Sequence, residues 1–436
     1  MKPFCNQDFL LTQPTAKGLF QAIAGLPVVD FFCKLNPTEI AENRHYENIT
    51  QLLLNDDVEK LQAMRLHGID EYYITGEAGD YEKFQKFAET IPCLLGNPLY
   101  HRTHLELKRY FDIVTPLSPA TVEQIWNSAN EKITKEDFCI YKIFKKFHVE
   151  AVHIPENITE SLDCYQGISE SGLCPARVFP AFCPDRALFA KNKAFTDWTQ
   201  KLEECCSTPI ETLSALQICL TERLLYFKSM GTRTAVHTVD FPYKKAPSYE
   251  KADAAFQKAK EGILLNPDEL AEYQSGIFCF LVKKYRDYGF TLQIQIRNQN
   301  NIKPLIALLE QMNQEQKLPQ IIISSTDAAH YKILAKALAQ SKIAGSIRMS
   351  VTGMPYQKDA LFSVLENVAS YGILPGFAGF SSGSSRILSY SSQEYFRRVL
   401  CEFLGTLVEN GEYPNYQDLL KKFATDISYE NTKLFF

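Results

Sequence analysis

Eight histidines, twelve cysteines and a scatter of basic residues set the chemistry open to this 436-residue chain. His101 and His104 are three apart, so on a helix both share one face and could hold a metal with a third ligand. A capping or scaffold role is the plainer use of that pair. His237 closes an apolar run and could act as a general base, or be a histidine satisfied by its neighbours. Lys34 follows another apolar run. Its ammonium can bind a carboxylate, or form a Schiff base if burial lowers its pKa; an ion pair is the plainer use. Arg233 and Arg297 lie near strand ends, where a guanidinium can grip a carboxylate with two hydrogen bonds or make a structural salt bridge. The Gly/Ser-rich stretch Gly379 to Ser385 could cradle a phosphate through backbone N–H groups, but it fits no P-loop or dinucleotide spacing. The cysteines include no C-x-x-C, and only Cys205 and Cys206 are adjacent. That spacing disfavours zinc ribbons and redox dithiols. It predicts buried free thiols and a cytoplasmic location, with a disulfide-bonded periplasmic protein as the minor alternative.

Composition narrows the class. Hydrophobic residues make up 45% and charged residues 22%, which is globular usage. The net charge of -5 argues against a partner whose phosphates need a basic face, so no nucleic acid is expected. No run of 18 apolar residues occurs, so no membrane-spanning helix is expected. Residues Met1 to Thr15 lack the basic start and apolar middle of a signal peptide.

The elements that must position these residues alternate. Strand-like runs fall at Val28–Cys33, Glu150–Ile154, Arg177–Phe182, Thr234–Val239, Thr291–Ile296, Gln320–Ser324 and Ser346–Val351, with a weaker one at Gly376–Phe380. Helical patterns separate most of them. Between Thr38, read as a helix cap, and about Lys146 the pattern is mostly helical. Eight strands with intervening helices predict a (β/α)8 TIM-type barrel with a helical insertion after strand 1. The expected divisions are 1–37 for the N-terminal helix and first strand, 38–146 for the insertion, and 147–436 for the remaining barrel. In such a barrel the chemistry sits at the C-terminal strand ends.

Read in that light, Asp30-Phe31-Phe32-Cys33-Lys34-Leu35 resembles the first strand of amidohydrolase-type barrels, where Asp-x-His-x-His-Leu carries two metal-binding imidazoles. Further stretches resemble the uronate isomerases, which interconvert glucuronate or galacturonate with their keto forms. They are Met64-Arg65 with Glu71–Gly76, Gly96–Leu107, Leu388–Arg398 and Asp426–Asn431. They run in the family's order from about Pro3 to Phe436.

The resemblance also marks departures. The two metal histidines fall on Phe32 and Lys34, and neither Phe nor a protonated Lys can donate a lone pair to a divalent cation. The family's Thr-Asp-Ser-Arg-Ser after the last strand falls so that its metal-binding Asp becomes Gly383 and its substrate-facing Arg becomes Ser385. Asp-His-Tyr-Lys-Trp-Arg becomes Asp57–Gln62, and Phe-Arg-Pro-Asp becomes Phe182–Asp185. The Gln-Leu-His strand becomes Gln293–Gln295, and an Asp-His pair becomes Val236-His237. The expectation is a uronate isomerase-like barrel without metal or other cofactor, and without the family's aldose–ketose isomerisation. The alternatives are an active uronate isomerase, or a metal-independent sugar-acid enzyme using Lys34 and His237 as catalytic groups. Arg233, Arg297 and His101 are the candidate substrate-binding residues. The expected partner is a sugar-acid ligand, with a homo-oligomer allowed.

Overall fold

The computed structural model describes the chain except residues 1–3, 56, 137, 191–192, 239–240, 317, 344, 354–356 and 434–436. Seven parallel strands pair in chain order: β1 (Val28–Asp30), β2 (Val149–Asn157), β3 (Arg177–Cys183), β4 (Thr234–His237), β5 (Thr291–Ile296), β6 (Ile321–Ser325) and β7 (Ile347–Met349). β8 (Val351–Thr352) continues β7 across Ser350, whose N–H donates to the Ile323 carbonyl at 3.0 Å and so keeps the broken strand against β6. β8 pairs with β9 (Phe380–Ser381). Just past β9, the Gly383 N–H donates to the Phe32 carbonyl at 2.9 Å, and the Lys34 N–H to the Ser384 carbonyl at 2.8 Å. Last strand thus meets first, and the sheet curls into a (β/α)8 barrel joined at this seam.

Strands covered on both faces must be apolar outward and compact inward. β5 and β6 are buried at every position. Their outward residues, Leu292, Ile294, Ile321 and Ile323, join the main core beneath the helices. The stretch between β1 and β2 holds helices Pro37–Ala41, Ile49–Leu53, Val58–Leu66, Asp80–Thr90, Pro98–Phe111, Val122–Glu136 and Ile140–Lys146. The two ends of the chain pack together through helices Pro14–Ile23 and Ser391–Glu409. Gly405 permits that approach, because a Cβ there would lie 2.8 Å from both the backbone N and the Cβ of Ala16.

Several local expectations shift. Regular pairing of β1 ends at Asp30, not Cys33, because the chain bends toward the barrel seam at Phe31. The cap of the first insertion helix is Asn36, whose side chain accepts from the Thr38 N–H at 2.9 Å; Thr38 is already inside the helix. Residues Leu374–Gly376 form a 3-10 turn, and strand begins only at Phe380. The run expected over Thr234–Val239 is strand as far as His237, and Val239 lies outside the described residues.

Candidate functional site at the barrel mouth

The strands' C-terminal ends define the mouth. Register places Val236 of β4, Gln293 of β5 and Ile322 of β6 on one level, with Gln295 and Ser324 on the next level up. Phe31 and Phe32, 1% and 2% exposed, close this space with Ala181 and Val236. Gln293 Nε2 donates to the Phe31 carbonyl at 2.8 Å, so even this amide serves the seam. These inner positions are aromatic, aliphatic, amide and hydroxyl, with the Thr352 and Ser381 hydroxyls 2.8 Å apart beside them, while Arg348 of β7 pairs in register with Ile322 and the buried His153 of β2 packs against Phe179.

Asp30 stands at the seam. It accepts from the Ser382 N–H at 2.9 Å and from its hydroxyl at 2.5 Å. Burial pushes its carboxyl up to about 6, and the Ser382 bonds offset only part of that rise. Gly383, next in line, has φ +60, and a Cβ there would sit 3.1 Å from Thr352 Cγ2 and 3.2 Å from Gly353 Cα. A side chain is thus doubly disfavoured at the position where the resemblance puts a metal-binding aspartate. Lys34 is exposed, and among the described residues no ion pair engages its ammonium.

These residues do not fit a divalent cation. Phe32 has no lone pair, Lys34 offers a cation and Gly383 offers no side chain. Among the described residues, no group of three metal-donor side chains stands at this mouth.

His237 lies in the barrel wall, not in the lumen. Val236 faces inward, so its neighbour faces out. Its Nδ1 is 3.0 Å from Asp185 Oδ1, and its Nε2 is 2.9 Å from the hydroxyl of Tyr285, on the outer helix Pro267–Tyr288. The acidic partner fixes the tautomer: Nδ1–H donates to the carboxylate and Nε2 accepts from the phenol. Asp185 also accepts from the Thr238 N–H and hydroxyl, at 2.7 and 2.6 Å. With both nitrogens engaged and 1% exposure, the ring reaches no substrate in the mouth.

Arg233 precedes β4, which starts at Thr234, and so lies at the barrel's end opposite Lys34. Arg297 follows β5 directly, on the mouth side, and is exposed. His101 and His104 do share helix Pro98–Phe111. The His101 ring lies edge-on to Phe9 at 5.0 Å, and burial, then Lys358, lowers its pKa. His104 Nδ1 is 2.7 Å from the Tyr100 carbonyl, and its Nε2 accepts from the Leu117 N–H at 3.0 Å. That tautomer makes His104 a brace between its helix and the following loop.

An ion cluster not anticipated from the sequence stands behind the seam. Lys60 Nζ is 2.6 Å from Glu106 Oε2 and 3.4 Å from Asp57 Oδ2. Arg102 bonds Asp57 and Glu59. Arg386, five residues past β9, places Nη1 2.7 Å from Asp57 Oδ2 and 3.2 Å from Glu106 Oε1. Burial alone would raise the Asp57 and Glu106 carboxyls. Lys60, Arg102 and Arg386 overcome it and hold both below the ordinary range. Arg386 follows the position where the resemblance puts a substrate-facing arginine, and it is turned away from the lumen into the insertion. The available signals were the Asp-x-x-Lys helix start at Asp57 and the i, i+4 pair Arg102 and Glu106.

Comparison with known proteins agrees along the whole length. A family model described as glucuronate isomerase matches residues 1–303 and 295–436. A uronate isomerase of Caldanaerobacter subterraneus is 36% identical, over 99% of each chain. One of Lachnoclostridium phytofermentans is 34% identical over 100% of each. In three dimensions the chain is similar to the crystal structure of a uronate isomerase from Thermotoga maritima, with TM-score 0.91 and 24% identity over 99% of this chain and 100% of that one. It is also similar to a glucuronate isomerase from Caulobacter crescentus, with TM-score 0.85 and 17% identity over 98% and 96%. These two likenesses speak for the fold.

Proposed function

Because this chain belongs to the glucuronate isomerase family, we propose that it takes a sugar acid of the glucuronate or galacturonate type at its barrel mouth, without a divalent cation and without turning it over at the rate of a metal-dependent enzyme. One observation carries the metal-free reading. Phe32 packs in one buried cluster with Phe31, Ala181 and Val236 where the resemblance expects an imidazole ligand, so a core side chain takes the ligand's place. Moving hydrogen between adjacent sugar carbons needs stabilisation of an enediolate-like charge, and fixed cations or donors usually supply the largest part of it. At this mouth Lys34 and Arg297 are the cationic side chains placed to attract a carboxylate. The neutral donors beside them are amides and hydroxyls.

A second reading rests on its own observation. Relatives named uronate isomerase match this chain end to end at 34–36% identity, which is what a retained isomerase gives. The comparisons favour this reading, and the geometry of the mouth favours the first. In the second, Lys34 stands in for the metal's charge.

An assay for keto-acid product from D-glucuronate and D-galacturonate, with and without added Zn2+ or Mn2+, separates them. The first reading expects no turnover in either condition and saturable binding of the sugar acid by calorimetry. Turnover restored or raised by the cation establishes a metal-dependent isomerase. Turnover indifferent to chelators and abolished by Lys34→Ala establishes a metal-independent one.

A further inference from the structure

On the outer helical layer between β3 and β4, helix Lys193–Cys206 ends in a turn and the chain returns as helix Leu213–Ser229. Cys206 closes the first helix. Cys219 and Glu222, three residues apart, share a face of the second. The two thiol sulfurs and a Glu222 carboxylate oxygen all lie within 4.8 Å of one another. The turn is held in place: Ser207 adopts φ +50, the Ile210 N–H donates to Glu203 Oε1 at 2.8 Å, and the Thr212 side chain caps the second helix. Cys206 Sγ is 3.7 Å from the Cys219 carbonyl, so its thiol faces across the hairpin. Cys219 is buried, Cys206 half-buried and Glu222 exposed, which gives a graded path from solvent to the inner sulfur.

We infer that Cys206, Cys219 and Glu222 form a binding site for a thiophilic divalent cation of the zinc class, outside the barrel and independent of the mouth. The donor set of two sulfurs and one oxygen suits a borderline-soft cation, and a water completes four ligands. Zinc–sulfur bonds of about 2.3 Å separate two thiolates by roughly 3.8 Å, inside the 4.8 Å within which these donor atoms already lie. On binding, each thiol releases its proton to water and its sulfur lone pair forms a bond to the cation, while Glu222 donates an oxygen lone pair. Two protons leave per cation, and no electron is transferred.

The test titrates the reduced full-length protein with Co2+ and follows the thiolate-to-cobalt charge-transfer band, with Zn2+ as competitor. The expected result is a band saturating at one equivalent and displaced by Zn2+. Cys206→Ser and Cys219→Ser abolish it. Glu222→Gln weakens Co2+ binding by at least about tenfold, the lower range for losing a group that supports a metal ligand. Cys205→Ser, at the exposed neighbouring thiol, leaves it unchanged. Cys219 is buried, so if Cys219→Ser lowers the thermal midpoint, the half-buried Cys206 and exposed Glu222 variants decide. No band in the native protein, a band surviving Cys206→Ser, or one lost in Cys205→Ser overturns the site.

Discussion

Lys60 and Glu106 meet at 2.6 Å where neither side chain touches solvent, and they join two helices of the insertion behind the seam of the barrel. Their cluster is unbalanced. Three cations, Lys60, Arg102 and Arg386, face two buried carboxylates, Asp57 and Glu106, with Glu59 reaching in from the surface.

The imbalance predicts unequal costs. Glu106→Gln leaves three cations around one buried carboxylate and should destabilise by about 3–5 kcal/mol, the range for an orphaned buried charge. Lys60→Met removes the surplus cation together with its desolvation cost, and keeps an apolar stem of similar length. It should cost clearly less. Urea denaturation of both variants checks the order. Equal losses would mean that packing, not charge, sets the stability of the cluster.

Phe32 behaves here as core and not as a vacated ligand position. Phe32→Ala should cost about 3–5 kcal/mol, as for other fully buried aromatic truncations. Phe32→Leu, which retains most of the apolar volume, should recover most of that loss. Thermal and urea unfolding measure both. A loss under 1 kcal/mol for the alanine variant would place Phe32 in an open mouth.

Asp30 predicts an acid-side signature. Its carboxyl titrates near 3.8 when unfolded and at about 6 in the fold. Between those values the folded state holds the extra proton, so this group's stabilising contribution is full below the unfolded value and is lost as pH rises through about 6. The shift amounts to about 3 kcal/mol. His153 acts in the opposite direction over an overlapping window. Burial lowers its pKa to about 3, so its contribution is full above 6.5 and is lost as pH falls. The two partly cancel in the native curve, and the informative quantity is the difference from Asp30→Asn. That variant should gain stability relative to the native protein as pH rises from 4 to 7. A constant difference across that range would show that Asp30 titrates normally.

The barrel was legible because strands buried on both faces leave unbroken apolar runs, as in Gln320–Ser324, and because helical stripes separate them. What one sequence conceals is direction. Val236 and His237 are adjacent, and only pairing with β5 reveals that the valine faces the lumen and the histidine the wall. Arg233 precedes the strand start at Thr234, both in the expected run and in β4, and so lies at the end away from the mouth. The ion cluster escaped for a different reason: Asp57, Lys60, Arg102, Glu106 and Arg386 come from three distant segments, and charges far apart in the chain carry no periodicity to betray their contact. The departures at Phe32, Lys34 and Gly383 are departures from the motifs of the resemblance, and they are legible because a phenyl ring, a protonated amine and a glycine offer no lone pair.

The seam also sets an order of assembly. Asp30 and Ser382 are 352 residues apart, and among the described residues the donors to this carboxylate lie at the seam. During synthesis β1 keeps one strand edge open until the chain has reached Ser382, 352 residues after Asp30. Helix Pro14–Ile23 waits as long for its partner around Gly405. The first strand is therefore the last to be sealed, and a nascent chain stalled before residue 382 presents a sticky edge that only chaperone cover or the missing C-terminal segment can shield.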